Sequence, residues 1–281
     1  MRFYLTLTVF LLAVFISAPA ALFAHGHQRR INITATTSDL QLIAREIGGT
    51  RVDAAAMIHP TICPSQTDLS PRVLERVARS NIVLSRPRET WVSALRFKAV
   101  GTIATLYQVI RAEGNLMVPY LHIRAATEFL ELISRLDPNS RSYYEANFSE
   151  YVYRIRFEAD RLRRMLDGKR NVNIISEHNL KTFLEWLGFN VVATYRTQNE
   201  LSARQLAELN RTIQQRNVVL VVDNLQAGTN IGFMLSEDNG LRHAVISNFP
   251  LGGSYLSTLQ DNIQRISRAL QAQPPAEEES A

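Results

Sequence analysis

Asn171–Tyr195 reads NVNIISEHNLKTFLEWLGFNVVATY. The run NVNIIS (171–176) is a strand, HNLKTFLEWLG a helix and NVVATY a second strand. Strands joined through a helix pair in parallel, because the crossover returns the chain to the same end of the sheet. The alternation continues outward. SARQLAELNRTIQQR (202–216) is a helix, NVVLVVD (217–223) a fully buried strand and HAVIS (243–247) another, and a last helix runs from Ser254 to Leu270.

The first half of the chain repeats this alternation. INITAT (31–36) is strand-like and leads into TSDLQLIAREIGG, a helix that Ser38 or Asp39 can cap and Gly48 can end. RVDAAAM (51–57) is a strand, and Ser70-Pro71 starts a helix through Val73, Leu74 and Val77. NIVLS (81–85) is a buried strand, ETWVSALRF returns as a helix and TIATLYQVI (102–110) is the last strand of this half. A helix from His122 to Leu136 places Ile123, Ala126, Leu130 and Ile133 on one face.

Between the halves, Asp137-Pro138 to Gly168 reads as one long helix. Tyr144, Phe148, Tyr151, Ile155, Ala159, Leu162 and Leu166 form its apolar stripe, over a length of roughly 45 Å. A stripe of that length packs against two neighbouring lobes. The expected fold is α/β, with two similar lobes of parallel sheet joined by one connecting α-helix. The boundaries are an N-terminal lobe over 30–136, the connecting helix over 137–168 and a C-terminal lobe over 169–271.

The ends differ from this body. Arg2 is the only charge before His25, an apolar run follows it, and Ala18-Pro19-Ala20 offers small residues for cleavage, so 1–24 reads as an export signal. The tail 272–281 is proline-rich and acidic and reads as disordered. Export implies the periplasm or the extracellular face. Of the 281 residues 46% are hydrophobic, and the formal charge is +5, with basic residues spread among acidic ones. That spread is a solvated helix surface, so nucleic acid is not an expected partner. Cys63 is the only cysteine and reads as a small buried apolar residue before it reads as a thiolate ligand.

Several segments, taken together, resemble the solute-binding proteins of zinc- and manganese-type ABC importers. They are CPSQTDLSP (63–71), GNLMVP (114–119), the run from Ile133 to Tyr151, EHNLKTFLEWLGFNVV (177–192), VVLVVDNLQAG (218–228) and VISNFPLGGSYLSTLQDNI (245–263). The resemblance covers Ile31 to Leu270. It implies a divalent transition metal, zinc or manganese, held between two lobes of a monomer and delivered to a membrane permease.

The family's ligand set is three imidazoles and a carboxylate, and here the resemblance carries it onto other residue types. Gln66 falls at the first histidine, Asn115 at the second, Glu177 at the third with His178 beside it, and Asn248 near the expected aspartate. His59, Asp68 and Asp223 are further candidates close to these positions. Each has a structural alternative: His59 can satisfy its loop backbone, His178 can start a helix, and Asp223 can cap the turn that follows its strand. His122 and both tryptophans read as structural. Amide oxygens are poor zinc donors but orient polar groups well, so the rewritten set fits an altered metal site, a polar solute or a protein partner. No nucleophile elbow, phosphate loop or paired-histidine hydrolase motif is present, and an enzyme is not expected.

Overall fold

The computed structural model describes residues 30–62, 70–87, 89, 91–98, 105–197 and 201–272. The signal over 1–24, most of the tail, Cys63, Gln66, Asp68 and the first part of the expected 102–110 strand lie outside the described residues.

Among the described residues eight strands form two four-stranded sheets of identical order. In the first lobe β1 (Ile31–Ala35), β2 (Val52–Ala56), β3 (Ile82–Ser85) and β4 (Leu106–Val109) are ordered β2-β1-β3-β4. In the second, β5 (Asn173–Glu177), β6 (Asn190–Tyr195), β7 (Val218–Asn224) and β8 (Arg242–Ile246) are ordered β6-β5-β7-β8. Every pair is parallel. Parallel sheets need apolar strands because helices cover both faces. β3, with all four residues buried, and β7, with six of its seven buried, meet that need. The order reverses between β1 and β3, and again between β5 and β7. Those are the switch points, beyond whose carboxyl ends α/β proteins form ligand crevices.

Helices α1 (Ser38–Gly48), α2 (Pro71–Ala78) and α3 (Val92–Lys98) connect the first sheet. Helices α6 (Lys181–Leu187), α7 (Ala203–Arg216), α8 (Asn230–Asp238) and α9 (Tyr255–Gln271) serve the second. Between them lie α4 (Pro119–Leu136) and α5 (Arg141–Arg164). α4 starts three residues before the expected His122, because Pro119 occupies the first turn, where its missing N–H costs no hydrogen bond.

The connecting helix is shorter than expected, at 24 residues or about 36 Å. Pro138–Ser140 form a separate 3-10 turn, and Asp137 takes a non-helical backbone while its carboxylate accepts from Tyr144 at 2.8 Å. Beyond Arg164 the chain leaves the helix through turns that end at Gly168, with φ of 77°. The stripe nevertheless does what its spacing implies. Tyr144 is buried in the first lobe's core, and Tyr151, Ile155, Ala159, Leu162 and Leu166 in the core of the second. Met117 and Val118, just ahead of α4, also belong to that second core, so the lobes share a packed junction. Among the described residues no helix is long and apolar enough to cross a membrane.

Candidate metal centre between the lobes

Glu177 is the last residue of β5, at the switch point of the second sheet, and it is 2% exposed. Its carboxylate accepts from the Asn179 N–H at 3.0 Å, the Asn179 amide at 2.9 Å and the Asn224 amide at 2.8 Å. Burial raises its pKa, while the Asn224 and Asn179 donors and the Arg196 charge oppose that rise. Its three hydrogen-bond donors are all neutral, and the Arg196 charge also acts on it.

Asn115 reaches the same place from the other lobe. Its amide donates to the Asn179 carbonyl at 3.0 Å, and its oxygen accepts from the Met117 N–H at 2.8 Å. Asn179 thus joins two of the sequence-derived candidates, Asn115 and Glu177. Asn248 closes the third side. Its N–H donates to Gln226 at 2.9 Å, while its own amide oxygen is buried with no hydrogen-bond partner. Gln226 in turn donates to the Pro60 carbonyl at 2.6 Å and to Ser247 at 2.9 Å, which brings the loop carrying His59 against the second lobe.

Other candidates face elsewhere. Asp223 precedes Asn224, and side chains alternate along a strand, so Asn224 turns to Glu177 while Asp223 turns beneath α8. There its fully buried carboxylate accepts from Tyr195 at 2.6 Å and Gly232 N–H at 3.3 Å, and His243 lies at 2.7 Å. A Cβ on Gly232 would overlap that carboxylate, so the cluster is closed. His178 lies 3.4 Å from the Thr194 hydroxyl, and the exposed His59 ring bonds Thr61 of its own loop at 2.8 Å. Asn224, Asn179 and Gln226 escaped the sequence reading. The available signal was their position just past β5 and β7, at a switch point visible only once strand order is known.

The first lobe presents charge at its own switch point. Asp39 is 2% exposed; one oxygen accepts from Leu40 N–H at 2.8 Å and from the Thr37 hydroxyl. Its other oxygen has no hydrogen bond and lies 4.0 Å from the Arg86 guanidinium. Arg86 also donates to the carbonyls of Ala112 and Gly114, next to Asn115. Glu89 accepts from the Arg86 N–H at 2.9 Å, and burial raises its pKa with help from the Asp39 charge. Ser38 crosses the cleft, donating to the Pro250 carbonyl at 2.9 Å.

Among the described residues no three His, Cys, Asp or Glu side chains converge. The junction therefore offers the Glu177 carboxylate and the unpartnered Asn248 amide oxygen, while the Asn115 and Asn224 oxygens accept from Met117 N–H and Gln226 N–H and their NH2 groups turn to the Asn179 carbonyl and to Glu177. That set suits a hard, oxygen-preferring divalent ion better than a site built for zinc.

Residues 117–269 match the family described as ZnuA, zinc-uptake complex component A, periplasmic. No curated protein matches the chain. Among solved structures, one of ZnuA is 18% identical, covering 86% of this chain and 99% of that one, with a TM-score of 0.74. The nickel complex of FpvC from P. aeruginosa is 16% identical over 86% and 97% of the two chains, with a TM-score of 0.73. Zinc-bound AdcA from Streptococcus pneumoniae is 16% identical over 88% and 59%, with a TM-score of 0.66. At such identities these structures establish a shared two-lobed fold.

Proposed function

The chain belongs to the periplasmic zinc-uptake component A family, and from that membership we propose that a divalent metal is captured at Glu177. The protein is a solute-binding component of a metal ABC importer, a transport role and not a catalytic one. The observation that carries the site is Glu177 itself, buried at the sheet's switch point and contacted by neutral donors. Asn248 would supply an amide oxygen beside the ion, Asn115 and Asn224 would do so by turning over the amides that now donate to Asn179 and Glu177, and Gln66 and Asp68 are further candidates from the segment before α2. Amides at Gln66 and Asn115, where the family pattern has imidazoles, favour manganese over zinc, because a carboxamide oxygen is a hard, weak donor. Export by the 1–24 signal, and handover to a membrane permease, complete the reading.

Elemental analysis of untagged protein from its native compartment, with calorimetry against manganese and zinc, tests this. Manganese should bind, and Glu177→Gln should weaken it by about 100-fold, the loss of a buried charged donor. Wild-type affinity in Glu177→Gln would place the metal elsewhere. Protein free of metal and unresponsive to both ions would return the cleft to a polar solute.

A further inference from the structure

His122 sits in the first turn of α4, fully buried, and none of the metal-site reading uses it. Its Nδ1 lies 3.1 Å from the Leu116 carbonyl and its Nε2 lies 2.8 Å from the Tyr151 hydroxyl. A carbonyl only accepts, so Nδ1 carries the proton, and a neutral ring then accepts at Nε2 from Tyr151. Burial holds the ring neutral, pushing its pKa down to about 3. Tyr255 lies over the ring with centroids 4.0 Å apart and donates its own hydroxyl to the Met117 carbonyl at 2.8 Å.

These bonds converge on one short turn. Residues 115–118 carry Asn115 into the cleft. The Asn115 carbonyl is taken by Val118 N–H at 3.0 Å, the Leu116 carbonyl by His122, the Met117 carbonyl by Tyr255 and the Val118 carbonyl by His122 N–H at 3.0 Å. The anchors come from three elements: α4, α5 through Tyr151, and α9 of the second lobe through Tyr255. We propose that His122 is a positioning residue for the cleft, its Nδ1–H holding the Leu116 carbonyl so that the Asn115 amide stays aimed at the Asn179 carbonyl, whose residue in turn holds Glu177. This rests on the metal reading for its consequence but not for its geometry. An apolar residue would fill the same space, yet it would leave the Leu116 carbonyl buried without a donor and the turn free to rotate Asn115 away.

Two conservative variants separate positioning from packing. In His122→Asn the side-chain amide takes the place of Nδ1 and keeps the bond to Leu116. In His122→Gln the amide reaches toward Nε2, keeping the bond to Tyr151 and losing the one to Leu116. Both give up part of the ring and should lose similar thermal stability. Manganese affinity should divide them: within about threefold of wild type for Asn, and weaker by about tenfold for Gln, the size of one lost hydrogen bond. Hydrogen exchange at the Met117 amide, whose acceptor is Asn115, should quicken only in Gln. The wild-type ring should also show the Nδ1–H tautomer in its nitrogen spectrum.

Affinity losses that track stability equally in both variants would overturn the proposal, as would an Nε2–H tautomer. If wild type binds no metal the capture reading falls, and exchange at Met117 still decides the role of His122. Unchanged exchange in His122→Gln would refute it.

Discussion

Both lobes run their strands in the same order, yet β3 ends at Ser85 and is followed by Arg86, while β7 ends in Asp223-Asn224. The second lobe has both sheet faces packed. One face joins the core shared with α5, and the other is sealed by Ile175, Val221, Ile231, Leu235 and their neighbours. Among the described residues the first lobe has one full core, and its outer face carries a cluster around Val77, Val83, Val92 and Leu95. Its last strand leaves Leu106 and Val109 exposed, and a cavity of about 480 Å³ lined by Asn32, Thr34, Asp53 and Arg76 opens beside β1 and β2. The family match begins at Met117 and covers the rod and the second lobe. One topology thus carries two chemistries: an arginine bound to backbone carbonyls on one side of the cleft, and a buried carboxylate held by amides on the other. The difference teaches that strand order fixes where a site lies, while the residues just past two strands decide what it takes.

If the second lobe is the tightly packed one, intrusion there should cost most. Gly232→Ala would push a methyl group into the Asp223 carboxylate, which Tyr195 and His243 hold in place. We expect a loss of about 3 kcal/mol, combining overpacking with a disturbed buried charge. Gly48→Ala in the first lobe also overlaps a neighbour, but that neighbour is Val52 on the end strand β2, and alanine gains helix propensity. Its loss should be smaller. Urea unfolding of both variants checks the order, and a larger loss for Gly48→Ala would break the contrast.

Next comes the Asp223 cluster. Tyr195→Phe removes one donor from a fully buried carboxylate, which should cost about 2 kcal/mol. Because that carboxylate points beneath α8 and away from the Glu177 partners, manganese affinity should not change. Calorimetry that shows a matching fall in affinity would restore Asp223 as a ligand.

The fold was largely legible in the sequence, because buried parallel strands and amphipathic helices leave strong periodic signatures. NVVLVVD and the stripe from Tyr144 to Leu166 placed the second sheet and the rod. Helix ends were less legible: Asp137-Pro138 looks like a helix start, but the Tyr144 hydroxyl fixes Asp137 outside the helix. At the candidate site, Glu177 and Asn115 were reached by counting along the family's motifs, and the structure places Asn179 between them. Asp223 was misjudged in direction, because strand alternation sets its side chain only when the facing helix is known. Asn224 and Gln226 carried no signal of their own. A lone amide is ordinary in a loop until the opposite lobe stands across from it.

Titration offers a smaller effect. Glu89 and Glu177 both have raised pKa values, caused first by burial. An acid whose folded pKa is raised favours folding fully below its unfolded value, and that contribution is lost as pH rises through the folded pKa. The share of stability set by these two carboxyls should therefore fall from about pH 5 upward, against the opposite trend of His122, whose lowered pKa adds stability as pH rises toward the free imidazole value. Glu89→Gln should flatten the curve and leave metal affinity nearly intact, since Glu89 belongs to the first lobe's charge cluster. Glu177→Gln should flatten it too while weakening capture by about 100-fold. Identical pH curves for wild type and Glu89→Gln would mean that burial at the first switch point is relieved by water.

The smallest effect concerns the bonds that cross the cleft. Ser38 donates to the Pro250 carbonyl and Gln226 to the Pro60 carbonyl. Both are neutral hydrogen bonds from buried side chains, and Gln226 also bonds Ser247 and Asn248, so Ser38→Ala and Gln226→Ala together should cost about 1 to 2 kcal/mol. They should not open the molecule. α5 is packed into both cores, and Met117, Val118 and Tyr255 tie the lobes at the junction. A hinge would have to break that apolar contact, which outweighs two polar bonds. Small-angle scattering of the double variant, with and without manganese, should therefore superpose on wild type. A clear expansion of the metal-free variant would show that the side-chain bonds, and not the rod, set the distance between the lobes.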